Sequence, residues 1–326
     1  MARKILVNLI KLSVVGALLW FLVDRGFISV EQTQRALASP LESGTGVALL
    51  MVCQLLGAAR WRILLQAQGL MLSYGRALQL NMVGSFFNIA LPGSVSGDLV
   101  KAYYLGHEAP GRQARAFGAI LLDRVMGLSA LLLVSAGAFF VSIPGTEDNT
   151  TFTALRWLIR VLAVGVLFFY AYLLLVHPQH DPLRRVLLAL EARVSKVKAI
   201  REVYDGMRDF HGAPGAVISA MVISVVIHLL VGATFLAFAH AVGETWMQLH
   251  HIYATAPAGM VVTTIPVAPA GVGTGHAAFL FLFRLVGSER GADVFTLFAA
   301  TQILIGMLGG LVYLWFKRAE PPAPVS

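Results

Sequence analysis

The chain of 326 residues is 57% apolar and only 13% charged, whereas soluble domains contain about 45–50% apolar and about 25% charged residues. This composition excludes a water-soluble globule and a disordered chain, and the single cysteine, Cys53, excludes a disulfide scaffold. The formal net charge of +8 is carried largely by short loops between apolar segments, where membrane topology and anionic lipids explain it better than nucleic acid does. We therefore predict an all-α polytopic membrane protein that forms a single domain over residues 1–326.

A transmembrane helix needs about 20 predominantly apolar residues. Six segments meet this criterion, namely 5–23, 44–62, 116–143, 156–176, 215–241 and 293–316. The first follows Arg3 and Lys4, but its apolar run of about 19 residues is longer than the core of a signal peptide. We therefore expect it to be retained as a first span.

Positive charge predicts the orientation of these spans, because cytoplasmic loops are enriched in Lys and Arg. The interval 177–213 contains seven Lys and Arg residues, whereas 144–155 contains none and carries two acids. This pattern places 177–213 in the cytoplasm and 144–155 outside. The same rule places both termini in the cytoplasm, because Arg3 and Lys4 precede the first span and Lys317 and Arg318 follow the last.

Two further apolar intervals, 77–105 and 252–287, are interrupted by Pro, Gly and polar residues. The chain is predicted to be cytoplasmic at both Arg76 and Arg112, and an interval of this length is too short for two crossings and a turn at about 1.5 Å per residue. We therefore predict a re-entrant helical hairpin over 77–105. The same argument predicts a hairpin over 252–287 that begins and ends outside.

These two hairpins lie in corresponding halves of the chain, 1–143 and 215–316, and are predicted to enter from opposite faces. Such an inverted-repeat-like pair of broken segments marks the binding site in many transporters. The predicted turns contain Pro92, Gly93 and Gly97 in the first hairpin and Pro269, Gly271, Gly273 and Gly275 in the second. The glycines are consistent either with a backbone cradle for an anion or with close helix packing.

Charged residues within the membrane are candidates for function because they are costly to place there. Asp98 and Lys101 are three residues apart and share a helix face. They are consistent with recognition of an anionic headgroup, or with a helix cap and internal neutralisation. Arg124 is suited to bind a phosphate. Asp123 and Arg124 are also consistent with structural ion pairs to a hairpin, or with side chains that reach the cytoplasmic interface.

Three further residues have polar side chains near the predicted hairpins. Arg60 and Arg62 are interpreted as anchors at the membrane interface. His276 would lie at the positive end of a half-helix, which favours a neutral imidazole that forms hydrogen bonds. A purely structural role for His276 is the alternative.

The cytoplasmic segment 177–213 contains apolar residues at three- and four-residue spacing between 182 and 210, which predicts one amphipathic helix. Its interleaved Arg and Lys residues are suited to the anionic inner leaflet. Packing against a neighbouring part of the protein is an equally open alternative.

The run VGSFFNIALPG at 83–93, followed by SGDLVK at 96–101, resembles the signature of a flippase-like family named after the membrane region of lysylphosphatidylglycerol synthase. The dipeptide RW at 60–61, the run LLDRVMG at 121–127 and the run PAGVG at 269–273 fit the same pattern. The resemblance covers roughly 45–316. Where the family usually has a glutamate after the second glycine turn, this sequence has His276, so an acidic role is not expected there.

The resemblance implies movement of a lipid between leaflets, without lipid modification, because little sequence follows Lys317 to form the soluble domain of the synthase. We therefore expect a flippase for an anionic or polyprenyl-type lipid in the bacterial cytoplasmic membrane. The alternatives are a membrane-embedded transferase acting on a polyprenyl-phosphate lipid and a non-transporting partner subunit of a separate lipid-modifying enzyme. We expect no catalytic residue, metal site, cofactor or nucleic-acid partner. The candidate headgroup-binding residues are Lys101, Arg124, Asp98, Asp123, Asn88 and His276.

Overall fold

The computed structural model describes residues 38–90, 96–108, 111–139, 150–194, 197–263 and 273–315, and within these ranges the regular elements are all helices. Five helices are long and apolar enough to span a membrane. They are α1 (Pro40–Ala67), α4 (Gln113–Ala138), α5 (Thr150–Leu175), α8 (Pro214–Ala241) and α11 (Gly291–Trp315). These helices confirm an all-α chain with spans at five of the six predicted places. The remaining predicted span, 5–23, lies outside the described residues.

Each of the two interrupted intervals forms a pair of short helices. The first pair is α2 (Tyr74–Ala90) and α3 (Ser96–Glu108), and the second is α9 (Leu249–Thr263) and α10 (Thr274–Arg284). At about 1.5 Å per residue, none of the four reaches the roughly 30 Å of a bilayer core. Each of the two predicted intervals therefore contains two short helices among its described residues, and the re-entrance of each pair stays a prediction. The turn segments 91–95 and 264–272 lie outside the described residues, and the membrane face from which each pair enters stays a prediction.

Helix α11 contacts both pairs of short helices. A Cβ atom at Gly309 would lie 2.0 Å from the carbonyl oxygen of Met82, so the backbones of α11 and α2 touch. A Cβ atom at Gly275 would lie 2.2 Å from the ring of Phe295, so α10 also packs closely on α11. Only glycine allows helices to approach this closely. One spanning helix therefore supports both broken segments.

The two halves of the chain have different interiors. In the second half, Phe235 stacks on Phe279 and Phe298 with ring centroids 4.8 and 4.7 Å apart, and Phe279 stacks on Phe295 at 5.0 Å. In the first half, the buried apolar residues of α1 and α4, including Trp61, Leu64 and Leu122, lie beside charged side chains. Among the described residues, the interior of the first half therefore contains charged side chains, whereas that of the second half is built around stacked aromatic rings.

The prediction of one amphipathic helix over 182–210 is wrong. The segment forms two helices, α6 (Pro182–Glu191) and α7 (Val197–Arg208). Arg201 on α7 pairs with Glu191 at 2.5 Å, and Arg184 on α6 pairs with Asp205 at 2.8 Å. A straight helix would separate these partners, so folding back allows oppositely charged residues of α6 and α7 to meet.

Helices α6 and α7 differ in their surroundings, and the two roles predicted for the segment, packing on the protein and binding the membrane, apply to them differently. Helix α7 packs on α4, where a Cβ atom at Gly118 would lie 3.0 Å from the carbonyl carbon of Gly206. Helix α6 keeps Leu183, Val186 and Leu190 about half exposed. Packing on the protein therefore explains α7, and the attachment of α6 to the inner leaflet stays a prediction.

A buried ion pair fixes the segment 177–213 to the end of α5. Arg208 and Asp181 are almost fully buried and lie 2.7 Å apart, from Nε to Oδ2. Arg208 also donates to the carbonyl oxygens of Leu173 and Val176 at the end of α5, where a cation complements the helix dipole. Burial alone would raise the pKa of Asp181, but hydrogen bonds from Tyr172, Tyr204 and a backbone N–H, together with the Arg208 charge, hold that pKa below its usual value.

This pair predicts a loss of stability in acid. The pKa of Asp181 is lower in the folded state than in the unfolded state, so the carboxylate stabilises the fold above its unfolded pKa of about 3.9. That stabilisation is lost as the pH falls through the folded-state pKa. We expect Asp181→Asn to lower the free energy of unfolding by on the order of 3 kcal/mol near pH 7, and the difference from the wild type to shrink below about pH 4.

Thermal unfolding of the purified protein in detergent between pH 7 and pH 3 measures this difference. Asp209→Asn is the matched control, because Asp209 is about half exposed in its pair with Arg115. A difference between wild type and Asp181→Asn that stays constant over the whole pH range would contradict the prediction.

Candidate functional site

The two helices of the first pair, α2 and α3, are in direct contact at the start of α3. The backbone N–H of Gly97 donates to Asn88 Oδ1 at 2.8 Å, and a Cβ atom at Gly97 would lie 2.0 Å from the carbonyl oxygen of Gly84. The start of α3 is therefore pressed against α2, and the glycine serves close packing. The side-chain oxygen of Asn88 accepts this hydrogen bond and so joins the two arms. Headgroup binding by Asn88 stays a prediction.

Closure of this hairpin brings three charged residues together. Asp98 and Lys101 are buried, and Lys101 Nζ lies 3.5 Å from Asp98 Oδ1. Arg124 of α4 donates from Nε to the other carboxylate oxygen of Asp98. We call Asp98, Lys101 and Arg124 the ionic triad. With Lys101 protonated, the triad carries two positive charges and one negative charge.

Polar groups from α1 and α2 surround the Lys101 ammonium. Lys101 Nζ donates to Asn81 Oδ1 at 3.0 Å, and the Asn81 amide nitrogen donates to Gln54 Oε1 at 3.0 Å. The ammonium also lies over the Trp61 ring, 5.2 Å from its centroid, where a cation is attracted by the ring face. The sequence reasoning missed Asn81, Gln54 and Trp61. The polar spacing of Asn81, Ser85 and Asn88 along one face of α2 was the available signal.

A second ion pair lies next to the triad. Arg60 of α1 forms two hydrogen bonds with Asp123, at 2.7 and 3.0 Å, and a third with Ser224 of α8 at 2.9 Å. Both charged side chains are about one-eighth exposed. The prediction that Arg60 anchors the membrane interface is therefore wrong, because the carboxylate of Asp123 satisfies it inside the protein. Of the two charged neighbours on α4, Arg124 pairs with the hairpin and Asp123 pairs with α1.

The position along α4 indicates the depth of this network. Arg124 lies about 16 Å along the helix axis from Gln113, at about 1.5 Å per residue, in a helix apolar enough to span a membrane. A bilayer core is about 30 Å thick. The network therefore lies far from either end of the spanning helix.

His276 of the second hairpin has a different environment. The N–H of Gly273 donates to His276 Nδ1 at 3.2 Å, so the imidazole is neutral with its proton on Nε2. Nε2 lies 2.9 Å from Thr296 Oγ1, which itself donates to the carbonyl oxygen of Ala292. His276 thus joins the start of α10 to α11. Among the described residues, no hydrogen bond or ion pair links it to the triad.

The predicted turn residues are partly described. Gly97 and Gly275 are packed against neighbouring elements, and Gly273 adopts a positive φ of 86°, a conformation that favours glycine. Pro92, Gly93, Pro269 and Gly271 lie outside the described residues. The anion cradle suggested for these turns stays a prediction.

Comparison with known proteins identifies a family. Residues 8–310 match the family model described as the lysylphosphatidylglycerol synthase TM region. No curated protein and no solved structure matches the chain. The matched region includes the ionic triad, the Arg60–Asp123 pair and both hairpins.

Proposed function

The chain belongs to the family of the lysylphosphatidylglycerol synthase TM region, and from this premise we propose that it moves an anionic or polyprenyl-type lipid between the leaflets of the bacterial cytoplasmic membrane. The observation that carries the proposal is the ionic triad, which lies between the first hairpin and a spanning helix. A lipid-related membrane family and a buried charged cluster together favour a protein that handles lipid headgroups.

The charge balance of the cluster supports an anionic ligand. The Arg60–Asp123 pair is neutral by itself, and the triad has one more positive than negative charge. An excess of buried charge is costly in a membrane. An anionic headgroup at the triad would balance the charges of this described cluster, which supports an anionic ligand.

The two hairpins suggest how the headgroup would cross. Each arm is shorter than the bilayer core, and both hairpins pack on α11. In the proposed topology they enter from opposite faces, with 5–23 as a sixth span and both termini in the cytoplasm. Rocking of the hairpins against α11 would expose the triad to one leaflet and then to the other, while the lipid tails remain in the bilayer.

The described carboxylates favour translocation over transferase chemistry. One way for a transferase to exchange a proton with its substrate is through a free carboxylate. Asp98 is engaged by Lys101 and Arg124, and Asp123 is engaged by Arg60. Neither carboxylate is placed to act as a general base in this conformation.

Reconstitution tests the proposal. The purified chain is placed in phosphatidylcholine vesicles that contain fluorescent phosphatidylglycerol, and the exchange of label between leaflets is followed by chemical quenching of the outer leaflet. We expect exchange to be faster than in vesicles without protein. Equal rates with and without protein, for both phosphatidylglycerol and a polyprenyl phosphate, would overturn the proposal. Formation of a new lipid product would favour a transferase instead.

A further inference from the structure

Helix α6 begins at the end of a spanning helix. Helix α5 has 26 residues, which is about 39 Å at about 1.5 Å per residue, and this length exceeds the hydrocarbon core of about 30 Å but fits within a whole bilayer of about 40–45 Å. The end of α5 at Leu175 therefore lies at the level of the headgroups. Asp181, which Arg208 holds at this end, also accepts from the backbone N–H of Arg184 and so caps α6. The start of α6 is thus fixed at the membrane surface.

One face of α6 is apolar and exposed. Leu183, Val186 and Leu190 are 47%, 52% and 44% exposed, and their spacing of three and four residues places them in one row along the helix. Val194 is 49% exposed and continues the row, because its backbone N–H donates to the carbonyl oxygen of Leu190 as in a helix. We call these four residues the α6 stripe. A helix that lies in a membrane interface buries such a stripe at the boundary between headgroups and acyl chains.

The acidic side chains between α6 and α7 are already neutralised. Arg184 pairs with Asp205 at 2.8 Å, and Arg201 pairs with Glu191 at 2.5 Å. These pairs hold the two helices together. The two acids therefore do not balance the cations on the rest of this surface.

The remaining charge of this surface is positive. Among the described residues, three cations near the stripe have no acidic partner, namely Arg185, Arg193 and Lys198. In the same part of the chain, Glu202 is the one acid of α6 and α7 without a cationic partner. Arg193 directly precedes Val194 at the end of the stripe. Basic residues beside an apolar face are attracted to anionic lipids.

A second copy of this chain fits the surface less well. In a symmetric dimer the same patch of each copy faces the other, so the unpaired cations of two α6 helices would meet and repel. An anionic bilayer surface instead supplies negative charge to the cations and an apolar layer to the stripe. Level, exposure and charge therefore agree on lipid as the partner.

We infer that the α6 stripe is a docking surface for the anionic lipids of the membrane surface, which is that of the cytoplasmic leaflet in the proposed topology. The four apolar side chains enter the boundary of the acyl chains, and Arg193 extends to the headgroup phosphates. The lipids held here belong to the bilayer surface and are not the lipid that the proposed function moves. The inference therefore goes beyond the proposed function and does not depend on it.

A spin label on the purified full chain tests the docking surface. Cys53 is the single cysteine, so Cys53→Ala gives a background in which Val186→Cys carries one label on the stripe. In vesicles of dioleoyl phosphatidylcholine and dioleoyl phosphatidylglycerol, electron paramagnetic resonance measures how often the label collides with a water-soluble nickel complex. We expect the collision rate at 186 to be at least about threefold lower than at a matched position that faces water.

Leu188→Cys provides that matched position. Leu188 is 43% exposed on the same helix, and a residue two positions from Val186 does not share its face. A label at 188 should therefore collide freely with the nickel complex. Equal collision rates at 186 and 188 in the anionic vesicles would overturn the inference.

The charge of the lipid is tested with the same label at 186. In vesicles of phosphatidylcholine alone, we expect the protection at 186 to fall at least about twofold, and Arg185→Gln/Arg193→Gln should have the same effect in the anionic vesicles. Arg115→Gln is the control, because Arg115 pairs with Asp209, and it should leave the protection unchanged. Protection that is equal in neutral and anionic vesicles would overturn the assignment to anionic lipid.

The amount of protein separates lipid from a second copy of the chain. We expect the protection at 186 to be independent of the ratio of protein to lipid. Protection that grows with this ratio, together with magnetic coupling between labels, would identify a second copy and overturn the inference. Protection at 186 in protein that does not exchange lipid between leaflets would support the docking surface and contradict the proposed function, whereas exchange without protection would do the reverse.

Discussion

Replacing Lys101 by methionine is expected to lower the rate of leaflet exchange of phosphatidylglycerol about tenfold or more while leaving the fold intact. The ammonium supplies the excess positive charge of the triad, and loss of one charged contact costs about 1.5–3 kcal/mol. Methionine is of similar length and fills the space beside Trp61. Asp98 keeps Arg124 as its partner, so no buried carboxylate is left without a cation.

The vesicle assay described above measures this effect, and thermal unfolding in detergent reports the fold. Lys198→Gln is the matched control, because Lys198 is exposed on α7, away from the triad. The prediction would be contradicted by Lys101→Met protein that unfolds at the wild-type temperature and exchanges lipid at the wild-type rate.

The second large effect is expected on stability, at the Arg60–Asp123 pair. Asp123→Asn leaves the Arg60 guanidinium inside the protein without a carboxylate, and breaking a buried pair in this way costs about 3–5 kcal/mol. We expect a marked loss of folded protein after purification and a lower unfolding temperature. The double variant Arg60→Met/Asp123→Leu removes both charges and should recover much of that loss.

The exposed pair formed by Arg284 and Glu289 provides the comparison. Its side chains are 56% and 73% exposed, and pairs of this kind contribute about 0–1 kcal/mol. Glu289→Gln should therefore change the unfolding temperature very little. If Asp123→Asn lowers the unfolding temperature no more than Glu289→Gln does, or if the double variant is less stable than Asp123→Asn, the buried pair does not stabilise the fold as argued.

The spanning helices could be predicted because a bilayer sets their length and their composition. Their ends were harder to predict, for a physical reason that α1 illustrates. The apolar segment was predicted to end at 62, near Arg60 and Arg62, yet the helix continues to Ala67. Asp123 and Ser224 satisfy Arg60 from other helices, and the carbonyl oxygen of Leu72 accepts from Arg62. Because each arginine has a partner inside the protein, the free-energy cost of placing it within a membrane helix is offset. The two charges therefore do not mark the end of the helix.

The members of the site could be nominated from the sequence, but their partners could not. The charge of four residues and their position within apolar segments single them out, namely Asp98, Lys101, Asp123 and Arg124. Which partner each α4 residue binds depends on the direction in which its side chain points. Asp123 and Arg124 are adjacent and point to different helices. Asn81 and Gln54 were missed because an uncharged amide in an apolar segment gives a weak signal until its hydrogen-bond partner is known.

The contact between Gly118 and Gly206 has a mechanical consequence. Helix α4 runs without a break from Gln113 to Ala138, so the end on which α7 rests and the turn that carries Asp123 and Arg124 belong to one rod. A displacement of α7 would therefore tilt that rod and change the distance between Arg124 and Asp98. In the proposed topology and function, the lipid site would thus respond to a force applied to the segment 177–213.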